Sequence, residues 1–289
     1  MGNRRARGPE ACDPRLWHLA VVIPYTPPVQ PGDLVADFRI TDSLGVGDQG
    51  EFFVAEALGP IDAPTTTVVL KIVPAAGNFA RLVQEIETFS RVRHPNLMRL
   101  YGAGQHQDLF YFSMEWCEQG PVDLLDLDVP ARLRAVADAA HGAQALHDAG
   151  IVHRNVRPRN IYLRADGSAV LADLSLVLVG GAEMTDLSSP NALGYLDPVL
   201  LTADDAGSAT DVFSLAATAH HLATGTHLWP GIDPAQVLMA VRRVLREAPE
   251  VDRAHCPAGL ADLVAAGIDP DPNARPTAAE LGTRLRALT

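Results

Sequence analysis

The sequence predicts an α+β fold with two lobes, a small β-rich lobe containing one helix and a large helical lobe. Three observations support this prediction. Short apolar segments with strand character dominate residues 38–114, an alanine-rich helical segment follows at 131–149, and helical spacing then recurs to the end of the chain. The change of character falls after Gly120 and Pro121, so we expect a cleft between the lobes near this point.

Each element follows from local spacing and from the residues that end it. Three strands are predicted within residues 38–73, and a helix over 79–92 ends at His94-Pro95-Asn96. Four further strands are predicted at residues 97–100, 109–114, 161–163 and 170–172. The predicted helices of the large lobe cover residues 131–149, 210–224, 234–246, 260–266 and 277–288.

Composition excludes several classes of protein. The chain has 289 residues, 47% of them hydrophobic, and a formal net charge of −12, which argues against a nucleic-acid or anionic-membrane partner. Cys12, Cys117 and Cys256 fit neither a disulfide framework nor a metal-ligand spacing. No apolar run reaches the roughly 20 residues of a membrane helix, so we expect no membrane span and a cytoplasmic protein.

Proline and arginine mark the N-terminal segment as distinct from the rest. Residues 1–37 are predicted to form a leader, which is either disordered or extended along the small lobe, with disorder favoured. Residues 38–289 are predicted to form the folded domain, with a small lobe at 38–116 and a large lobe at 117–289.

A glycine-rich turn lies between two predicted strands. Gly45, Gly47 and Gly50 allow backbone N–H groups to approach phosphate closely. The same glycine spacing occurs in dinucleotide-binding turns, but those turns open a helix. Residues 51–55 read as a strand, so a hairpin that covers a nucleotide is favoured.

Lysine occurs once in the chain, at Lys71, among 23 basic residues. A compact ammonium differs from a guanidinium where it must meet phosphate oxygens, so this position is a candidate for phosphate binding. Lys71 lies in a predicted buried strand and needs a counter-ion. Glu85 in the following helix is the expected partner, and Glu87 is the alternative.

A further run of polar residues, from His153 to Asn160, is followed 13 residues later by Asp173. With this run, residues 38–285 resemble a eukaryotic-type protein kinase domain of the Ser/Thr kind found in bacteria. The motifs occur in the family's order: the glycine loop, Lys71, Glu85, His94-Pro95-Asn96, the loop 153–160, Asp173, Gly194-Tyr195-Leu196-Asp197-Pro198, Asp211 and Ala274-Arg275-Pro276.

The resemblance implies ATP and Mg²⁺ as cofactors and gives each matching residue a role. Gly45, Gly47 and Gly50 would cover the phosphates, and Lys71, held by Glu85, would contact two of them. Asn160 and Asp173 would hold magnesium, and Asp211 would support the catalytic loop. The residues expected around the adenine are Phe52, Val69, Met114, Glu115, Cys117 and Tyr162.

Three residues of the proton-transfer site depart from the family. The family's catalytic Asp is Asn155 here, and an amide cannot accept the hydroxyl proton of a substrate. The family's Lys two residues later is Arg157, and the Thr that braces both is Ala192. Changes at three neighbouring positions predict severely impaired phosphoryl transfer.

Two other departures affect packing. Phe52, Val69 and Tyr162 are each larger than the family's residues around adenine, so the base slot is expected to be narrowed or filled. Val199 replaces a Glu that pairs with the late arginine in the family. Arg275 is therefore expected to be exposed or to have another acceptor.

The favoured function is a regulatory or partner-binding pseudokinase with weakened ATP and Mg²⁺ binding and an unidentified protein partner. The alternative is an active or slow Ser/Thr kinase acting on a protein substrate. In that case a carboxylate would replace the lost base, the candidates being Asp123, Asp126, Asp128 and Asp186. A small-molecule phosphotransferase is a third and weaker alternative.

Overall fold

The computed structural model describes residues 29–47, 50–74, 90–172, 192–202, 207–233 and 236–289. Several predictions fall outside these ranges. The leader before residue 29 and most of the helix predicted at 79–92 are among them, and so are Glu85, Glu87, Asp173 and Asp186. Helical conformation is present at Ser90, and Val92 lies beyond it.

A six-stranded antiparallel sheet forms the N-terminal part of the described fold. Its strands are β1 (Leu34–Val35), β2 (Phe38–Gly47), β3 (Gly50–Ala57), β4 (Thr67–Pro74), β5 (Leu100–His106) and β6 (Leu109–Met114). The order across the sheet is β1-β2-β3-β4-β6-β5, so successive hairpins are neighbours except where β6 lies between β4 and β5. Valine, isoleucine and phenylalanine on alternate positions bury one face, which matches the predicted strands.

The C-terminal part is helical and carries a small second sheet. The sheet contains β7 (Gly120–Pro121), β8 (Ile161–Leu163) and β9 (Ala169–Leu171). The helices are α1 (Val129–Asp148), α2 (Ser208–Thr224), α3 (Val237–Arg246), α4 (Leu260–Gly267) and α5 (Ala278–Arg286). Four of them agree with the predicted bounds to within two residues, and α3 begins at Val237, later than predicted.

Helix α1 is the centre of this part of the fold. Its alanine-rich sequence lets neighbouring chains approach closely, and α2, α5 and β9 all pack against it. A Cβ added at Gly142 would lie 2.3 Å from the carbonyl oxygen of Asn96. The glycine is therefore required by the close contact between α1 and the segment that links the two sheets.

The strand predicted at residues 97–100 is wrong in its position, since β5 begins only at Leu100. Leu97 instead forms a parallel bridge with Leu171 of β9. The Met98 N–H donates to the Leu171 carbonyl at 2.9 Å, and the Asn96 side chain donates to the Ala169 carbonyl at 2.9 Å. These residues are extended, as predicted, but they pair with the second sheet, and this tertiary contact is not visible in local spacing.

Within the described ranges, no helix is both long enough and apolar enough to cross a membrane.

Candidate functional site

The glycine-rich turn is the β2–β3 hairpin, as its flanking strands predicted. Gly45 has φ +99° and Gly50 has φ +142°, conformations that favour glycine. A Cβ at Gly50 would lie 2.4 Å from the Ile72 carbonyl oxygen on β4. Gly47 pairs with Gly50 where the two strands meet, and residues 48–49 at the tip lie outside the described part. At Gly50 the hairpin thus approaches the neighbouring strand β4 at a distance that only glycine allows.

Lys71 lies on β4, the strand paired with β3 of this hairpin, and is 5% exposed. Its register partner on β3 is Phe52, and the Lys71 Nζ lies 5.4 Å from the centre of the Phe52 ring. A desolvated ammonium over an aromatic face is stabilised by the ring quadrupole. The Phe52 ring is therefore one of the groups that orient Lys71. Glu85, the expected counter-ion, lies outside the described residues.

Four of the six residues predicted to surround adenine, Phe52, Val69, Met114 and Tyr162, lie in one cluster. This apolar cluster contains Leu44, Phe52, Val54, Val69, Met114, Trp116 and Tyr162. Leu44 is 1% exposed and Val69 is 5% exposed, and both belong to the six-stranded sheet. Tyr162 belongs to β8 of the second sheet. Side chains from both sheets thus contact one another in this cluster.

The segment after β6 connects the two parts of the fold, and the side chain of Glu115 anchors it. Arg164, which follows β8, donates to both Glu115 carboxylate oxygens at 2.5 and 3.2 Å. The Arg99 backbone N–H also donates to Glu115, at 3.3 Å. Bidentate geometry of this kind fixes orientation as well as charge. Cys117 is buried, and burial raises the pKa of its thiol, so the thiol is neutral.

The catalytic-loop segment is held by the buried carboxylate of Asp211 on α2. The backbone N–H groups of His153 and Arg154 each donate to Asp211 at 2.7 Å. Arg154 has φ +64°, an uncommon conformation for a side-chain-bearing residue, and the two hydrogen bonds stabilise it. The His153 ring bonds the Ala172 carbonyl at 2.9 Å, which ties the loop to the residue before Asp173.

Asn155 and Asn160 are joined across this loop. The Asn160 side-chain nitrogen donates to the Asn155 carbonyl at 2.7 Å, and the Asn160 carbonyl accepts from the Ala172 N–H at 2.8 Å. Because the amide nitrogen is committed to Asn155, the other side-chain atom, the oxygen, is the one suited to a hard cation. Asp173, the second expected magnesium ligand, lies outside the described residues.

Arg157 is buried close to Asp123 and Tyr195. Desolvation raises the pKa of the Asp123 carboxyl, although part of the side chain remains exposed, and Arg159 and then Arg157 lower it. Burial raises the pKa of Tyr195, and the charge of Asp123 raises it further. Ala192 contributes only its carbonyl, which accepts from the Tyr195 N–H at 3.0 Å. A carboxylate thus lies near the arginine that follows Asn155.

Other candidate carboxylates have different surroundings. Asp128 caps the N-terminus of α1, accepting from the Ala131 N–H at 2.8 Å. Asp126 is exposed, and Asp186 lies outside the described residues. Of the four carboxylates proposed as substitutes, Asp123 is the one with a described electrostatic link to the catalytic loop.

Arg275 has another acceptor, one of the two expected alternatives. Its guanidinium forms a buried ion pair with Asp197. It also donates to the carbonyls of Asp269 at 2.8 Å and Ala209 at 2.9 Å, and it lies over the Phe213 ring. Asp197 is two residues before Val199, so the carboxylate that holds this arginine is displaced by two positions from the family's pattern.

Two residues that position the site were not identified from the sequence. His147 near the end of α1 bonds Asp211 at 2.8 Å and so supports the catalytic loop from a second side. Arg164 holds Glu115. Neither His147 nor Arg164 lies in a motif. Each is close in sequence to the predicted loop or strand, but this proximity does not specify which residue it contacts.

Comparison with known proteins agrees with this geometry. The family model for the protein tyrosine and serine/threonine kinase domain matches residues 38–285, so the chain belongs to this family. Among similar proteins is a probable serine/threonine-protein kinase, PkwA, of Thermomonospora curvata, 28% identical over 89% of this chain and 35% of the relative. Another is mitogen-activated protein kinase kinase kinase 1 of Arabidopsis thaliana, 28% identical over 82% of this chain and 38% of the relative.

A putative L-type lectin-domain containing receptor kinase, V.1, of the same plant is also 28% identical, over 65% of this chain and 30% of its own length. The chain thus spans about a third of the length of these curated relatives. The fold is the two-lobed α+β fold of protein kinases, as predicted, and the relatives include Ser/Thr kinases. The family as a whole uses ATP and Mg²⁺.

Proposed function

We propose that this chain is a regulatory, partner-binding pseudokinase that binds ATP and magnesium weakly and transfers phosphate very slowly. The observation that carries the proposal is Asn155. The loop around it keeps its supports, from Asp211 to two backbone N–H groups and from Asn160 to the Asn155 carbonyl. A side chain held in this place with no basicity supports positioning without proton removal.

The phosphate end of the site supports retained cofactor binding. Glycine is required at Gly50, Lys71 is buried on the strand beside the hairpin, and the Asn160 oxygen is suited to magnesium. These residues fit a triphosphate and a divalent cation. When bound, the cation would neutralise phosphate charge. Arg157, at the position of the family's Lys, would contribute a fixed positive charge beside the γ-phosphate.

The adenine end supports weak affinity. Leu44, Val69 and Tyr162 pack together where the base would lie, so adenine requires side chains to move. Overpacking of such a site costs about 1–3 kcal/mol, which corresponds to roughly a fivefold to 160-fold loss of affinity. The same packing stabilises contact between the two sheets without nucleotide, as suits a protein that presents a surface.

A kinase assay on wild type and Asn155→Asp tests the loss of the base. We expect radiolabel transfer from ATP to a generic basic protein to rise by about 10²–10⁴ in the variant. Lys71→Met in the Asn155→Asp background should abolish the gain. Lys71-dependent transfer by wild type at the roughly 1–100 s⁻¹ of active kinases would overturn the proposal.

Thermal shift measurements with ATP, with and without magnesium, test whether Tyr162 obstructs the adenine slot. We expect Tyr162→Leu to show a larger ATP-dependent stabilisation than wild type. Tyr111→Leu is the matched control, because Tyr111 lies in the other apolar cluster of the large sheet, against Phe38. At a ligand concentration 100 times Kd, binding stabilises by about 2.7 kcal/mol. Equal shifts in wild type and Tyr162→Leu would show that the slot is open.

The second candidate function is a working Ser/Thr kinase that uses Asp123. The observation in its favour is the electrostatic link between Asp123 and Arg157, together with a carboxyl pKa that desolvation raises. A raised pKa makes a carboxylate a stronger base. If Asp123 is the base, Asp123→Asn would abolish the phosphoryl transfer that the wild-type protein shows. In the favoured case, the same change leaves the slow wild-type rate unaltered.

A further inference from the structure

The outer face of helix α3 is unusually apolar for a surface. Leu238, Met239 and Leu245 are 85%, 57% and 43% exposed. Six large hydrophobic side chains are exposed in the described part of the chain, and three of them lie on this ten-residue helix. Single exposed apolar residues are ordinary, but three on one short helix mark it as a candidate binding surface.

The fold does not need this face for its own core. Ala240 and Val244 are buried on the inner side of α3, and Ala240 packs against Leu193 and Leu196. Helical spacing places Leu238 and Leu245 seven residues apart on the opposite side. Helix α3 therefore carries apolar side chains on two sides, and the inner ones anchor it to residues 193–201, the segment that contains Asp197.

Basic side chains lie within the outer face, among the apolar ones. Arg242 and Arg246 are one turn apart and both exposed, and Arg242 lies between Leu238 and Leu245 on the helix surface. Arg243, on the side of the helix, donates to Glu247 at 2.7 Å and to the Pro230 carbonyl at 2.5 Å. In a chain with a net charge of −12, a helix carrying three arginines is a local exception.

A groove of about 480 Å³ adjoins this face. Its lining combines Ile232, Met239 and Ala240 with all three arginines. Asp233 and Glu247 also line it, where Glu247 is paired with Arg243 and Asp233 accepts from Gln236 at 2.8 Å. The lining of the groove thus combines apolar side chains with three arginines and two carboxylates, so its positive charges outnumber its negative ones.

We propose that the outer face of α3 and its groove bind an acidic, amphipathic segment of a partner protein. The partner's apolar side chains would contact Leu238, Met239 and Leu245, and its carboxylates would pair with Arg242 and Arg246. Charge complementarity selects this partner, because the helix presents cations beside apolar surface. The docking surface goes beyond the proposed function, because it uses neither Asn155 nor the nucleotide residues.

Fluorescence anisotropy with the full chain tests this. The probe is a labelled synthetic peptide of about 15 residues, roughly 1.5 times the length of α3, with glutamates and leucines at helical spacing. Two counterparts carry glutamine or lysine in place of every glutamate. The variants are Leu238→Ser with Met239→Ser, and Arg242→Glu with Arg246→Glu. The control is Leu58→Ser with Arg39→Glu, which changes an exposed leucine and an exposed arginine elsewhere.

We expect the acidic peptide to bind at least about tenfold more tightly than either counterpart, and both α3 variants to lose at least about tenfold in affinity. The control should bind as wild type does, and higher salt should weaken binding. Equal binding of all three peptides, or no binding of the acidic peptide below about 1 mM, would overturn the proposal. So would concentration-dependent dimerisation of wild type that the α3 variants abolish, since the surface would then bind a second copy. Kinase activity and ATP binding should not change in either variant.

Discussion

The substitution Asp197→Asn tests how much the buried ion pair between Asp197 and Arg275 contributes to stability. The side chains of Arg275 and Asp197 are 2% and 1% exposed, so the pair is fully desolvated. Asparagine keeps the volume and the oxygen that accepts from the Val199 N–H at 3.1 Å. The substitution therefore removes the charge and leaves the cap of the short helix Pro198–Leu201 in place.

The expected loss follows from the remaining contacts of Arg275. Removing one partner of a buried ion pair costs about 3–5 kcal/mol, because the other charge is left uncompensated. The guanidinium keeps the carbonyls of Asp269 and Ala209, so we expect the lower end, about 3 kcal/mol. For a domain of this size, 1 kcal/mol shifts Tm by about 2–4 °C, which predicts a decrease of roughly 6–12 °C.

Calorimetric melting and urea titration of the folded chain measure this loss. Asp262→Asn is the matched control, because Asp262 pairs with Arg253 on the surface, where the two side chains are 76% and 62% exposed. An exposed pair contributes about 1 kcal/mol or less, so this variant should melt near wild type. Adding Val199→Glu to Asp197→Asn returns a carboxylate to the family's position and should recover part of the stability. A loss below about 1 kcal/mol for Asp197→Asn would refute the argument.

Two further predictions concern packing and pH. Gly142→Ala should destabilise the fold by about 1–3 kcal/mol, measured by urea titration, because its Cβ would lie 2.3 Å from the Asn96 carbonyl oxygen. A stabilised variant would mean that helix propensity outweighs this clash. Stability should also fall as pH decreases from about 6.5 towards 4, because burial lowers the pKa of three neighbouring histidines. They are His220, His221 and His227, and burial with the adjacent imidazoles lowers the pKa of His221 to about 4. In this pH range the unfolded chain binds protons at these histidines before the folded chain does. Each histidine therefore contributes up to about 1.4 kcal/mol of unfolding free energy per pH unit. A triple asparagine variant whose stability keeps the full dependence on pH would contradict this.

The sequence predicted the strands and helices well where the signal is local. Strand-like apolar patterns defined β2 and β3, a continuous apolar run defined β4, and alanine-rich or helical spacing defined α1 and α2. Two of the three short strands in the second sheet, β8 and β9, were also predicted, whereas β7 was not. The misplaced strand at residues 97–100 shows the limit of local prediction, because the sequence of an extended segment does not specify which sheet it joins.

Much of the candidate site was likewise predictable from residue type and order. The glycine turn, the single lysine and the loop from His153 to Asn160 each have a chemical signature, and their order along the chain identified the family. A missing carboxylate at Asn155 is readable in the same way, because basicity belongs to the side chain itself.

Tertiary structure alone decided which partners those residues have. Asp197 replaced the family's Glu as the acceptor for Arg275, His147 joined the support of Asp211, and Tyr162 packed against Leu44 and Val69. Each contact joins residues far apart in sequence, and the sequence alone is compatible with many other pairings of these residues. The physical reason is that a buried charge or ring needs a partner in space, and the folded chain, not the spacing along it, determines which group is there.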